Sequence, residues 1–223
     1  MSNLVIYRPV KSNRKGQSFG ENRAMCKLDA EGKAIRPFIV KGIPNTGIIP
    51  EGWISFYKEL GMLGHSGEDW TTWHGEPLYF PVDCEQAGGW HSVEASDLDG
   101  GLGVDVVSND PILIDGVTSH IKIRFWHLKS AWKDTDVKFG ELIGFCNDTG
   151  ASGGDHLHWG LKLCDEHGRA TYSNNGYYGA IDFSEWYSNY FVLDVIDLQT
   201  QALTAIQLAY KVIANVKLFL SKR

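Results

Sequence analysis

Residues 150–164 read GASGGDHLHWGLKLC. Glycine, serine and aspartate dominate the opening half, a composition that makes turns. From His156 the chain alternates strictly: His156, His158 and Lys162 share one parity, while Leu157, Trp159, Leu161 and Leu163 share the other. A period of two is the repeat of a β-strand, whose successive side chains point to opposite faces. The stretch therefore predicts a glycine turn leading into a half-buried strand that displays two imidazoles side by side on its polar face. Working outward, similar alternation recurs at Pro77–Val82, Gly103–Val107, Ile121–Trp126 and Glu141–Phe145, separated by the turn-rich stretches CEQAGG, DLDGG, SNDP and NDTGASGGD. That pattern predicts a mainly β chain built from antiparallel sheets. Residues 17–64 mix turn signals (PNTG, PEG) with one short helical candidate, Ile54–Leu60, and read as loops laid over the sheet.

The period changes near the end of the chain. Leu198, Ala202, Ala205, Ala209, Val212, Val216 and Phe219 are spaced 4-3-4-3-4-3, and Leu203, Ile206, Ile213 and Leu220 widen the stripe. This spacing predicts a long amphipathic helix over residues 195–223. Its apolar face can be covered by the chain's own sheet, by a partner helix or larger assembly, or by a membrane surface. Lys217, Lys222 and Arg223 complement the helix dipole at its C-terminal end.

With 223 residues, 43% of them hydrophobic and 22% charged, the chain can bury a real core and is neither disordered nor fibrous. The net charge of −6 is unevenly spread. Residues 1–40 hold eight Lys or Arg against three acids, residues 211–223 hold four against none, and residues 41–210 hold nine against twenty-four. An acidic body argues against a nucleic-acid partner. Cys26, Cys84, Cys146 and Cys164 form no C-x-x-C pair and no disulfide framework, so reduced and mostly buried thiols are expected. No apolar run in MSNLVIYRPVKSNRKGQ resembles a signal peptide, and no segment of the sequence is apolar enough to cross a membrane as a helix.

Four of the eight histidines lie in three short segments that also carry a carboxylate or aromatic residues: GHSGED (64–69), FWHL (125–128) and GASGGDHLHW (150–159). Imidazole nitrogen and carboxylate oxygen are the donors that hold Zn²⁺ tetrahedrally, and a catalytic site uses three of them. His65 and Asp69 with one histidine of the H-x-H pair would supply such a set, leaving other histidines for proton transfer. GASGG also matches the G-x-S-x-G elbow of serine hydrolases, but that elbow must lead into a helix, and here a strand pattern follows. A cupin-like site fails because no Glu follows H-x-H at the needed distance. His74, His91, His120 and His167 read as surface or hydrogen-bonded side chains. Trp70, Trp73, Trp126, Trp132 and Tyr79 flank the motifs, and either groove walls or core packing would use them.

From about Gln17 to Leu163 the sequence resembles the lysostaphin/LytM-type zinc endopeptidases that cut peptide bridges of bacterial peptidoglycan. The resemblance is carried in order by QSFGEN (17–22), GHSGEDW, HGEPLYFPVD, RFWHLKS and VKFGELIGFCNDTGASGGDHLHWGLK. It implies that His65, Asp69 and His158 bind one Zn²⁺ per chain, and that His127 and His156 act catalytically on water and the scissile carbonyl. It further implies a LytM-like β-sandwich/barrel hybrid over 17–165, with 1–16 an N-terminal extension, 166–194 a loop-rich connector and 195–223 the helix. Peptidoglycan stems or cross-bridges would be the substrate. The opening motifs and the missing signal peptide look more like phage-encoded members, virion-associated or released on lysis, although non-classical export would also fit. The helix, 198–220, is left for self-association or docking, with membrane contact disfavoured. The alternative is a non-catalytic structural or wall-binding module of a phage tail or envelope complex. Three positions depart from the family pattern. Glu68 replaces an apolar residue and is expected to point to solvent, the other course being to modulate the metal; Trp126 replaces a small residue; and Asn147 stands for a turn glycine, whose positive φ asparagine tolerates.

Overall fold

A computed structural model describes residues 4–21, 38–40, 43–45, 57, 59–97, 100–133 and 135–220. Its strands are β1 (Val5–Arg8), β2 (Arg14–Lys15), β3 (Phe38–Val40), β4 (Ile43–Asn45), β5 (Glu68–Thr71), β6 (Pro77–Tyr79), β7 (Val82–Asp83), β8 (Trp90–Asp97) and β9 (Gly101–Ser108). They continue with β10 (Ile112–Ile114), β11 (Val117–Trp126), β12 (Leu128–Ala131), β13 (Asp136–Val137), β14 (Leu142–Cys146), β15 (His156–Cys164), β16 (Ala180–Ile181) and β17 (Tyr187–Phe191), and the helix α1 spans Val192–Leu220. The expected mainly β architecture with antiparallel sheets and a C-terminal helix is observed. The helical candidate Ile54–Leu60 lies outside the described residues apart from Tyr57, Glu59 and Leu60, and so does Cys26.

The principal sheet runs β13-β8-β9-β11-β15-β5-β2, with β10 joined to β11 and β16 to β15. Smaller sheets run β12-β14-β6, β17-β1-β7 and β3-β4. Among the described residues every strand pairing is antiparallel except β1 with β17. Alternation along β11 and β15 sends Ile121, Ile123, Phe125, Leu157, Trp159 and Leu161 into a core where each is fully buried. There Phe125 and Trp159, cross-strand partners, stack with centroids 6.1 Å apart, and Phe183 closes on Trp159 at 4.8 Å. Truncating Trp159 to alanine would cost about 3–5 kcal/mol by this packing alone. Both flanks of the β region share the core, since Leu4, Ile6 and Val10 from the start of the chain meet the cluster that holds Phe183.

Two expectations are corrected by this fold. Asn147 takes no positive φ; outside glycine, among the described residues, only Asp115, His127 and Tyr178 do. Asn147 instead forms an antiparallel bridge with His156, and paired extended backbone is incompatible with a left-handed turn. The helix begins at Val192 rather than 195 and touches the body through its first turn and a half, where a β-carbon at Gly140 would collide with Ile196. Beyond that, residues 197–214 are all exposed, with Leu198 at 60% and Tyr210 at 69% of full exposure, so the chain's own sheet does not cover this face. Cys84, Cys146 and Cys164 are buried free thiols, as expected, and burial pushes Cys164 up to about 12.

Candidate metal centre

The centre forms where β15 lies between β5 and β11. Register places His158 directly across from Asp69 on one side and Trp126 on the other, so residues 89 positions apart in sequence become lateral neighbours. His65 arrives from the loop before β5. Its backbone is clamped on both sides, with Gly20 N–H donating to its carbonyl at 2.8 Å and its own N–H donating to the Glu21 carbonyl at 2.8 Å. Gly67 lets this loop press onto β15, because a β-carbon there would strike the Trp159 carbonyl. That contact explains the glycine of GHSGED.

Three donor atoms converge. His65 Nε2 and His158 Nδ1 are 2.8 Å apart, and they lie 3.1 and 3.0 Å from Asp69 Oδ1. Both imidazoles are buried and the carboxylate is nearly so. His65 Nδ1 contacts the Ser18 carbonyl at 3.3 Å; the carbonyl can only accept, so Nδ1 carries the hydrogen and the Nε2 lone pair faces inward. Burial resists charge on all three groups. For His65 the Asp69 carboxylate more than offsets that cost, raising its pKa, whereas burial dominates at His158 and holds it at about 4. Asp69 is also desolvated, yet the two imidazoles keep its carboxyl far below the usual carboxylate range. An ionised carboxylate and two inward-facing imidazole nitrogens form a donor set fitted to a Zn²⁺ ion.

His127 and His156 complete the constellation beside this point, their rings 4.4 Å apart. His127 Nδ1 meets the Thr149 carbonyl at 2.7 Å and His156 Nδ1 meets the Gly154 carbonyl at 2.8 Å. Each imidazole is therefore held in the tautomer that leaves Nε2 available, and His156 Nε2 lies 3.8 Å from Asp69 Oδ1. The Thr149 carbonyl is itself aimed, since Thr149 Oγ1 donates to the Leu128 carbonyl and receives the Leu102 N–H. His127 sits at φ 61°, a left-handed conformation that side-chain-bearing residues adopt at a cost of about 1–2 kcal/mol. Burial lowers its pKa from the ordinary histidine value, which favours the neutral ring and its lone pair. All five side chains line a pocket of about 270 Å³ that also includes Gln17, Tyr57 and Trp126.

Glu68 does not point to solvent. Alternation along β5 puts Asp69 on the metal face and Glu68 on the opposite, buried face, where it pairs with Lys15 Nζ at 2.5 Å and accepts the Phe19 N–H at 3.2 Å. It ties down the segment whose Ser18 carbonyl orients His65. Glu68→Ala is expected to strand the Phe19 N–H and lower stability by about 1–3 kcal/mol, which differential scanning calorimetry would register as a drop in Tm. Trp126, the other unusual residue, stacks on His158 at 5.2 Å and is stacked in turn by Arg124 at 5.0 Å. Its bulk fits because a β-carbon at Gly100 or Gly103 would clash with the indole. His74, His91, His120 and His167 bond to Asp155, Asn109, Ser108 and Glu166, away from the cluster. Trp70 is core, and Trp73 and Trp132 are exposed. The orienting carbonyls of Ser18, Thr149 and Gly154 carry no sequence signal, because any residue supplies a carbonyl, and Tyr57 sits inside a helical pattern that marks no site.

No protein-family model matches this chain, and no curated protein sequence does. Among solved structures it is similar to the catalytic domain of the antimicrobial peptidase lysostaphin from Staphylococcus simulans, at 25% identity over 56% of this chain and 79% of that one, with a TM-score of 0.40. It is also similar to a mutant catalytic domain of the prophage-encoded M23 protein EnpA from Enterococcus faecalis, at 21% identity over 48% and 75% of the two chains and a TM-score of 0.36. A zinc-containing peptidase from Vibrio cholerae gives 17% identity over 74% of this chain and 39% of that one, with a TM-score of 0.39.

Proposed function

We propose that this chain hydrolyses peptide bonds in bacterial peptidoglycan as a zinc-dependent endopeptidase. The observation that carries the proposal is the convergence of His65, Asp69 and His158 on one point with two further imidazoles, fixed in a usable tautomer, on its open side. Peptidoglycan as substrate rests on the ordered motifs from Gln17 to Leu163 that resemble wall-cutting endopeptidases. Retention of all five side chains argues against a purely structural or wall-binding module.

His65 Nε2, Asp69 and His158 Nδ1 would hold the ion. Bound there, Zn²⁺ supplies Lewis-acid polarisation of a carbonyl and lowers the pKa of water to about 7. His127, neutral and backed by the Thr149 carbonyl, accepts the proton of the attacking water at Nε2. His156, with Nδ1–H held by the Gly154 carbonyl, turns Nε2 toward the developing oxyanion or the leaving amine and serves proton transfer there. The wall is the site of action on this reading, reached from a phage particle or by release on lysis.

Elemental analysis of protein purified without chelator should find one zinc per chain, and mass spectrometry of purified sacculi after incubation should find new peptide termini. Absence of stoichiometric metal would sink the zinc assignment. Intact sacculi with zinc present would sink the substrate.

A further inference from the structure

The exposed stretch of α1 has a composition that water does not favour. Between 198 and 213, Leu198, Leu203, Ile206, Leu208, Tyr210, Val212 and Ile213 each expose half or more of their surface. Only one charged residue, Lys211, interrupts residues 198–214. No helix among the described residues is long and apolar enough to cross a membrane, and the polar side of this one carries Thr200, Thr204, Gln207 and a single cation, Lys211, between 198 and 214, short of the cationic rim that draws a helix onto anionic lipid.

We infer that this helix pairs with the same helix of a second copy of the chain, antiparallel, as a two-stranded coiled coil. The 4-3 spacing is the seam of such a pair. Antiparallel register about residue 207 sets Ala202 against Val212 and Ala205 against Ala209, so one layer joins a larger with a smaller side chain and the next joins two alanines that let the backbones close. Ile206, Leu208 and Ile213 flank the seam and lose water with it. Charge selects the direction. In the sequence Asp194 and Asp197 precede the apolar stretch, the cations Lys211, Lys217 and Lys222 come late in the chain, and no acid follows Asp197. Antiparallel pairing puts acids beside the partner's lysines and opposes the two helix dipoles, whereas parallel pairing would stack like charges.

Sedimentation equilibrium on the full chain should give the mass of two 24.9 kDa chains. Ala205→Glu keeps a good helix former on an exposed surface but buries two carboxylates in the seam. It should weaken dimerisation by roughly 100-fold while leaving circular dichroism and the melting of the body unchanged. In a Cys26→Ser background, a mixture of Ala202→Cys and Val212→Cys chains should form a disulfide across the seam that neither variant forms alone. A monomer at tens of micromolar, a dimer indifferent to Ala205→Glu, or a mass above two chains overturns the proposal. Cross-linking in a single variant overturns the antiparallel arrangement, and a monomer that binds anionic vesicles assigns the face to lipid instead.

Discussion

His127→Asn is expected to leave one zinc per chain and to slow sacculus solubilisation by about 1000-fold, the middle of the range attributed to positioned proton transfer. Asparagine is the informative replacement because residue 127 must hold φ 61°, which asparagine tolerates and alanine does so only under strain. The substitution removes the Nε2 lone pair while keeping a donor that can reach toward the Thr149 carbonyl, 2.7 Å from the native ring. His127 is not among the three converging donors, so metal content should not change. His156→Ala should behave alike, because its Nε2 also faces the pocket from outside the ligand set. Zinc content and turbidity loss, measured on the same preparations, check both. A His127→Asn protein that clears sacculi at the native rate would show the base to lie elsewhere.

Asp69→Asn should have the larger effect on the metal. Groups that merely orient ligands cost 10–100-fold in affinity when removed, so loss of a ligand should weaken zinc binding by at least about 100-fold. The carboxylate has a second duty: Oδ1 lies 3.1 Å from His65 Nε2 and 3.0 Å from His158 Nδ1, and it is the attraction that raises His65 against its own burial. With a neutral amide in its place, the protonated imidazole loses that attraction and His65 should titrate below the native value. Competition against a chromogenic chelator reads the affinity, and the His65 ring signals in NMR of zinc-free protein read the titration. Zinc held as tightly by Asp69→Asn as by the native chain would show that this carboxylate is not a ligand.

The difference between these two variants rests on a division the sequence marked only partly. H-x-H on an alternating strand is legible because a strand's repeat is local: His156 and His158 had to share a face wherever the strand lay. Which of them joins the metal cluster depends on neighbours. His158 lies across from Asp69, while His156, across from Thr71 and tethered to the Gly154 carbonyl, stands at the rim. Spacing alone could not separate the two. Glu68 is the same lesson in reverse. A carboxylate on a strand edge reads as solvated, yet Lys15 and the Phe19 N–H come from the start of the chain to pair with it, and no local pattern announces a partner so distant. Asparagine at 147 permits a left-handed turn, but its bridge to His156 imposes extended backbone instead.

By itself the sequence determined the β character, the turn-strand step at residues 150–164, the five side chains of the candidate site and the existence of the final helix. Each is written in residue type and short-range period, which backbone geometry translates directly into structure. The tertiary structure decided the register that gathers those side chains, the carbonyls that fix their tautomers, the burial of Glu68 and the bareness of the helix from 197 to 214. These follow from contacts between segments far apart in the chain, whose free energies are sums over many weak packing terms and leave no repeat in the sequence to read.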